Sequence, residues 1–149
     1  MGKRLELLNR LQSRNPPDVV VVPVRALLQR INPEARNAQL LELRRGSRAD
    51  LSELSQSLVA KGYRREFQVE HRGEFAIRGG ILDIFPSTGS SPVRADLWGD
   101  EVERLSEFSI SSQRSTAEIQ SVIIAPAREL LPTRQVRQRA LELLETEPW

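Results

Sequence analysis

The 149-residue sequence lacks cysteine, has one histidine and contains only 5% aromatic residues. Without cysteine the chain has neither disulfides nor a thiol nucleophile, which fits a reducing compartment. No apolar run approaches the roughly 20 residues of a membrane span, and Glu6 interrupts the start of the chain where a signal peptide would be apolar. We therefore expect a cytoplasmic protein with no membrane association, whose core at this length needs no metal or disulfide.

Positive charge is carried almost entirely by arginine. Of the 22 basic residues only Lys3 and Lys61 are lysines, and 20 acidic residues leave a formal net charge of +2. Arginine suits bidentate contacts with carboxylates and phosphates, but a high genomic G+C content would produce the same abundance. Only the placement of individual arginines therefore carries information about function.

The first 31 residues have an α/β pattern. Residues 4–11 place leucines at near-helical spacing, and residues 19–22 are a run of four valines, typical of a strand buried on both faces. One such strand makes no sheet. Residues 1–31 are therefore interpreted as the end of the first segment of a larger host α/β domain.

Residues 32–120 are predicted to form an insert of a different class. Strand-like segments at 40–43, 63–70, 74–78, 81–85, 93–98 and 102–110 are separated by turn residues. Asp50 is expected to cap one helix that runs to Lys61, with Gly62 as its left-handed terminator. This pattern predicts an antiparallel sheet with one covering helix.

The last 29 residues return to the character of the opening segment. A strand at 121–124 and an arginine-rich helix at 134–145 are interpreted as the start of the returning host segment. The predicted fold class is α+β, with an antiparallel sheet and covering helix inserted between fragments of an α/β domain.

The sequence offers little chemistry. His71 is interpreted as a surface histidine, because no second ligand or nucleophile lies near it. No phosphate-binding loop, nucleophile elbow or metal-spaced pair occurs. Acidic pairs such as Asp83 with Asp96 are interpreted as solvated strand ends. We expect no enzyme, no cofactor and no metal.

The segment 93–98 is the informative anomaly. Alternation sends its residues to two faces: Val93, Ala95 and Leu97 to a core face, and Arg94, Asp96 and Trp98 to a polar face. Arginine and tryptophan are enriched in binding hot spots. Either a partner protein or a role as a lid over the sheet or against the host domain explains Trp98.

Arg78 is the second candidate. It ends a predicted strand directly before Gly79 and Gly80, a pair that permits a sharp turn and the close approach of another backbone. Such an arginine suits recognition, although an ordinary surface arginine before a turn fits equally well.

These motifs together resemble a known family. Residues 73–86 (GEFAIRGGILDIFP), 92–94 (PVR) and 98–103 (WGDEVE) are similar to the UvrB-homology region of bacterial transcription-repair coupling factors, and the likeness covers about residues 18–132. The protein UvrB shares this general pattern of motifs. The resemblance implies docking onto UvrA, the damage-recognition protein of nucleotide excision repair, through Arg78, Arg94 and Trp98. The position of Trp98 is commonly Phe in the family, so this chain has a larger aromatic side chain at that contact.

The resemblance also bears on other partners. A complete coupling factor has an RNA-polymerase-binding module and a DNA-translocating ATPase, so RNA polymerase and DNA are expected partners of the longer protein only. The alternatives are a basic nucleic-acid-binding module, motivated by the arginines and a pI near 9.6, and a UvrB-like helicase remnant. Interleaved acidic residues predict weak or no DNA binding. Truncating Arg94 or Trp98 is expected to abolish UvrA capture with the thermal melt nearly unchanged.

Overall fold

The structure, a computed structural model, describes residues 7, 10, 11, 16–28, 40–128, 131 and 134–146. Its helices are α1 (Val24–Leu27), α2 (Leu51–Ala60) and α3 (Arg134–Thr146). Its strands are β1 (Leu41–Arg44), β2 (Arg64–Arg65), β3 (Glu74–Arg78), β4 (Ile81–Phe85), β5 (Val93–Trp98), β6 (Glu101–Phe108), β7 (Ser115–Glu118) and β8 (Ser121–Ile124). Of the helix predicted over residues 4–11, Leu7, Arg10 and Leu11 are helical, and the rest lies outside the described residues.

A six-stranded sheet in the order β2-β3-β4-β5-β6-β7 forms the body of the fold. Its neighbours pair antiparallel except β2 and β3, which pair in parallel. Strands β1 and β8 form a separate antiparallel pair. The predicted α+β class, mostly antiparallel with a covering helix, is confirmed.

The core lies between one face of the six-stranded sheet and a layer made of α2 and the β1–β8 pair. Leu54 and Leu58 of α2, with Leu43 of β1 and Ile124 of β8, are buried in one cluster with the inward side chains of the sheet. As predicted, Asp50 caps α2 by accepting a hydrogen bond from the Glu53 amide at 2.9 Å, and Gly62 ends it with a φ of +83°. Capping and the apolar stripe thus fix how α2 covers the sheet.

Tyr63 ties the two layers together at one end. Its hydroxyl donates to the Ala125 carbonyl at 2.7 Å and accepts from the Ser87 amide at 3.1 Å. Burial raises the pKa of Tyr63, and its hydrogen bonds with Ser87 only partly offset that effect. The phenol is therefore a neutral structural group.

The opposite face of the sheet carries a smaller apolar cluster under the loop of residues 66–73. Val69 of this loop packs with Ala76, Phe85 and Phe108. The buried Glu74 carboxylate holds the loop in place and lies 2.8 Å from Arg64.

The carboxylate of Glu74 also accepts hydrogen bonds from the backbone amides of Glu70 and His71, at 3.0 and 2.8 Å. Burial alone would raise the pKa of Glu74, but these hydrogen bonds, with the charges of His71 and Arg64, lower it. The carboxylate is therefore held in its charged form.

Two strand predictions need correction, and one strand was missed. Residues 19–22 are irregular, and Val21 is 93% exposed, because a strand requires a hydrogen-bonded neighbour and this segment has none in the described part of the chain. Of the strand predicted over 63–70 only Arg64–Arg65 forms, since Glu74 draws the rest into a loop. Strand β7 was not predicted, because its four exposed residues show no alternation.

The predicted boundary between residues 120 and 121 assigns β1 to the insert and β8 to the host segment, although these two strands pair with each other. Strand β8, assigned from sequence to the host segment, forms a continuous register with β1 from Leu41↔Ile124 to Arg44↔Ser121. The division into host segments and insert stays a prediction.

Candidate protein-binding site

Strand β5 divides its side chains between two faces as the alternation predicts. Val93, Ala95 and Leu97 are buried in the core, whereas Trp98 is 81% exposed on the other side. Arg94 lies on that side too, as does Arg78 of β3. We call this side of the six-stranded sheet the polar face. Its exposure excludes a role of Trp98 as a lid packed over the sheet, and packing against the host domain stays a prediction.

The strand register arranges the polar face in rows. One row holds Ala76, Asp83, Arg94 and Ser106, the next holds Arg78, Ile81, Asp96 and Arg104, and Trp98 with Glu101 begins a third. With strands about 4.8 Å apart and same-face residues about 6.7 Å apart along a strand, the Cα atoms of the three predicted residues lie within roughly 14 Å of one another. The fold therefore brings all three onto one surface.

Asp83 joins the two arginines. Its side chain is 1% exposed, and its carboxylate accepts hydrogen bonds from Arg94 Nε at 2.7 Å, Arg94 Nη2 at 2.8 Å and Arg78 Nη2 at 2.6 Å. We call these three residues the arginine–aspartate cluster. The interpretation of Asp83 as a solvated strand end is wrong. The missed signal was an acid flanked by Leu82 and Ile84 inside a strand, where only a paired carboxylate is tolerated.

Arg94 is the more enclosed of the two arginines. Its side chain is 15% exposed against 40% for Arg78. Nη1 donates to the Gln113 carbonyl at 3.1 Å, and the guanidinium carbon lies 4.9 Å from the centroid of the Phe108 ring. The hydrogen bond with Asp83 raises the pKa of Arg94 although burial opposes it. These contacts argue against the expectation that truncating Arg94 leaves the thermal melt unchanged.

The turn between β3 and β4 fixes the end of β5 that carries Trp98. Gly79 has a φ of +59°, and a Cβ on Gly80 would lie 2.7 Å from the Leu97 carbonyl oxygen. The Leu97 amide donates to the Gly80 carbonyl at 2.8 Å. The predicted close approach of another backbone is therefore confirmed, and it places Trp98 beside this turn.

The chemistry of the polar face is that of recognition. Arg78 keeps N–H donors that Asp83 does not engage, Trp98 offers a large exposed apolar surface, and in the row next to Trp98 Arg104 pairs with Asp96 at 2.7 Å. His71 is exposed, as predicted. The described residues contain no cluster of three or more metal-ligating side chains.

Comparison with known proteins decides the family. A family model described as the UvrB interaction domain matches residues 41–130, from the first residue of β1 to beyond β8. The chain belongs to the UvrB interaction domain family. Such a domain is an interaction module and not a catalytic one, in agreement with the prediction from sequence.

Relatives of this UvrB interaction domain bear a common name. This chain is 40% identical over 156 residues to the transcription-repair-coupling factor of Mycobacterium tuberculosis. That match covers 99% of this chain and 13% of the mycobacterial protein. The identities to the proteins of that name from Bacillus subtilis and Escherichia coli are 36% and 35%, over 97% and 87% of this chain. The match covers 12% and 11% of those two proteins. The chain therefore spans a small part of the relatives it matches.

Among the described residues of this UvrB interaction domain, no helix is long and apolar enough to cross a membrane.

Proposed function

We propose that this UvrB interaction domain binds UvrA through its polar face and, as part of a transcription-repair coupling factor in the cytoplasm, recruits UvrA in nucleotide excision repair. Arg78, Arg94 and Trp98 are the contact residues of this proposal. RNA polymerase and DNA are partners of the longer protein and not of this domain.

The observation that carries the proposal is the exposure of Trp98 at the end of an ordered central strand. Folding buries little of an indole that is 81% exposed, and large aromatic side chains at the centre of an interface supply much of the buried apolar area. The core below it is complete without it, because Leu97 and Val102 are buried on the other face. Its position is therefore better explained by a partner than by folding.

The charges of the polar face favour an acidic counterpart on UvrA. The arginine–aspartate cluster carries two positive charges and one negative charge, and Arg78 is its more accessible member. A carboxylate on UvrA that meets Arg78 would form a charge-assisted hydrogen bond beside the indole. Such a pair gives orientation and association rate, while Trp98 gives buried area.

Arg78→Ala tests the proposal with little risk to the fold, because Arg94 keeps both oxygens of Asp83 occupied. We expect UvrA binding to weaken by roughly tenfold or more, as for other charged interface anchors. Arg44→Ala is the matched control, since Arg44 is also exposed and also pairs with one acid, Glu42 at 2.6 Å, but lies on β1. Equal affinity of both variants and the unsubstituted chain for UvrA would contradict the proposal.

The polar face also speaks against DNA as the main ligand of this domain. Its arginines are paired with acids within the domain: Arg78 and Arg94 with Asp83, and Arg104 with Asp96. Fluorescence anisotropy with duplex DNA should give weak binding. Tight binding with a steep dependence on salt concentration would instead favour a nucleic-acid-binding module.

A further inference from the structure

We propose that Asp83 is the positioning residue of the UvrA-binding surface, and that its buried carboxylate holds Arg78 and Arg94 in the orientation in which they meet a carboxylate of UvrA. This inference rests on the proposed function. It concerns a side chain that itself has almost no accessible surface and therefore makes no direct contact with a partner.

The first argument is the geometry of the carboxylate. Asp83 lies on the central strand β4, between Arg78 on one neighbouring strand and Arg94 on the other. Both of its oxygens are used: Oδ1 by Arg94 Nε, and Oδ2 by Arg94 Nη2 and Arg78 Nη2. A bidentate contact fixes the plane of the Arg94 guanidinium as well as its position. The Asp83 side chain therefore sets the geometry of the Arg78 and Arg94 side chains.

The second argument is that Arg94 is fixed from further sides, while Arg78 is not. The Gln113 carbonyl accepts from Nη1, and the Phe108 ring lies under the guanidinium. Gln113 adopts a φ of 57°, and its buried Oε1 has no hydrogen-bond partner among the residues that the structure describes. Backbone strain and an unpaired polar atom are tolerated where another interaction compensates. The hydrogen bond from Arg94 Nη1 to the Gln113 carbonyl is an interaction of this kind.

The third argument concerns Arg78. Among the described residues its hydrogen-bond partner is Asp83, which engages one of the five N–H groups that arginine carries. Without Asp83 the long side chain would sample many rotamers and would have to be ordered again on binding. With Asp83 it is restrained before UvrA arrives, and its remaining donors are available.

Two substitutions separate positioning from simple charge. Asp83→Asn removes one negative charge from the polar face, so an account based on charge alone predicts tighter binding to an acidic surface. Asp83→Glu keeps the charge but moves the carboxylate by one methylene. The positioning role predicts that both variants bind UvrA about tenfold more weakly than the unsubstituted chain in a titration.

Coupling to Arg78 gives the readout that a purely structural role would not move. In an Arg78→Ala background the same Asp83 substitutions should weaken UvrA binding less than they do in the unsubstituted chain. Glu42→Gln is the matched control, because it also neutralises an acid paired with an arginine, Arg44 at 2.6 Å, but lies on β1 and not on the polar face. It should leave the affinity for UvrA unchanged.

Should neither Asp83 variant fold, Phe108→Leu tests the same role through the ring under Arg94. Its matched control is Phe85→Leu, because Phe85 lies in the same small cluster but contacts Arg72, at 5.0 Å, instead of Arg94. We expect weaker UvrA binding for Phe108→Leu than for Phe85→Leu. Equal affinities would overturn the inference.

The failure of the inference and the failure of the proposed function are distinguishable. If Arg78→Ala weakens UvrA binding but the Asp83 variants bind normally or more tightly, Asp83 is not a positioning residue and the docking surface stands. If Arg78→Ala itself has no effect, the proposed function fails and the inference with it.

Discussion

The substitution Arg94→Ala tests whether the arginine–aspartate cluster stabilises the sheet. It removes two of the three hydrogen bonds to the buried Asp83 carboxylate, the hydrogen bond to the Gln113 carbonyl and the contact with the Phe108 ring. Leaving a buried charge without its partner costs about 3–5 kcal/mol in other proteins. Because Arg78 still binds Asp83, we expect the free energy of unfolding to fall by about 2–4 kcal/mol.

The free energy of unfolding is measured in a urea titration monitored by circular dichroism, and a thermal melt is recorded as well. For a chain of this size the loss corresponds to a fall of about 5–15 °C in the melting temperature. Arg104→Ala is the control, since Arg104 lies in the adjacent row and pairs with the more exposed Asp96, and it should leave the transition unchanged. Unfolding of Arg94→Ala at the same urea concentration as the unsubstituted chain would refute the reasoning about the cluster.

Three further substitutions test the framework around the site. Gly80→Ala should lower the free energy of unfolding by about 1–3 kcal/mol in a urea titration, because its Cβ would meet the Leu97 carbonyl oxygen at 2.7 Å; an unchanged midpoint would contradict this. Tyr63→Phe should cost about 1–3 kcal/mol, measured in the same way, because the partly buried Ser87 amide and the Ala125 carbonyl lose their hydroxyl partner; a stable variant would show that another group replaces it. Glu74 has a lowered pKa in the folded state, so its contribution is present above pH 4.5 and is lost as the pH falls. The stability difference between the unsubstituted chain and Glu74→Gln should therefore be larger at pH 7 than at pH 3, and an equal difference would contradict the assigned contacts.

Local patterns were sufficient to predict the elements that position the site. The bounds of β3, β4 and β5 follow from alternation and turn residues, and the cap and terminator of α2 follow from Asp50 and Gly62. Alternation within β5 also separated Arg94 and Trp98 from the core. These features depend on contacts between residues close in sequence or on one strand, and such contacts are readable without the fold.

Pairings between distant segments could not be read in the same way. The pair β1–β8 joins residues about 80 positions apart, and nothing in either strand identifies its partner. Residues 19–22 illustrate the opposite error, because a run of valines has strand propensity but forms a strand only where a neighbour supplies hydrogen bonds. Whether such a segment forms a strand therefore depends on the strand that pairs with it and not on its own sequence alone.

The candidate site shows the same limit. Arg78 and Arg94 were selected individually, but the acid between them was taken for a solvated residue, since burial of Asp83 depends on the pairing of three strands, β3, β4 and β5. The sequence therefore indicated which side chains lie on the surface, and missed the group that holds two of them together. Because the buried Asp83 carboxylate pairs with Arg94, the substitution Arg94→Ala tests the stability of the sheet as well as UvrA binding.

The most direct test of the central claim is the dissociation constant of the complex between the full chain and UvrA from the same organism, measured for Trp98→Ala and for Ile123→Ala. Ile123 is an exposed apolar residue on β8, away from the polar face. The account predicts roughly thirtyfold weaker binding for Trp98→Ala, about 2 kcal/mol, with the thermal melt unchanged, and normal binding for Ile123→Ala. Normal binding by a correctly folded Trp98→Ala variant would contradict the account.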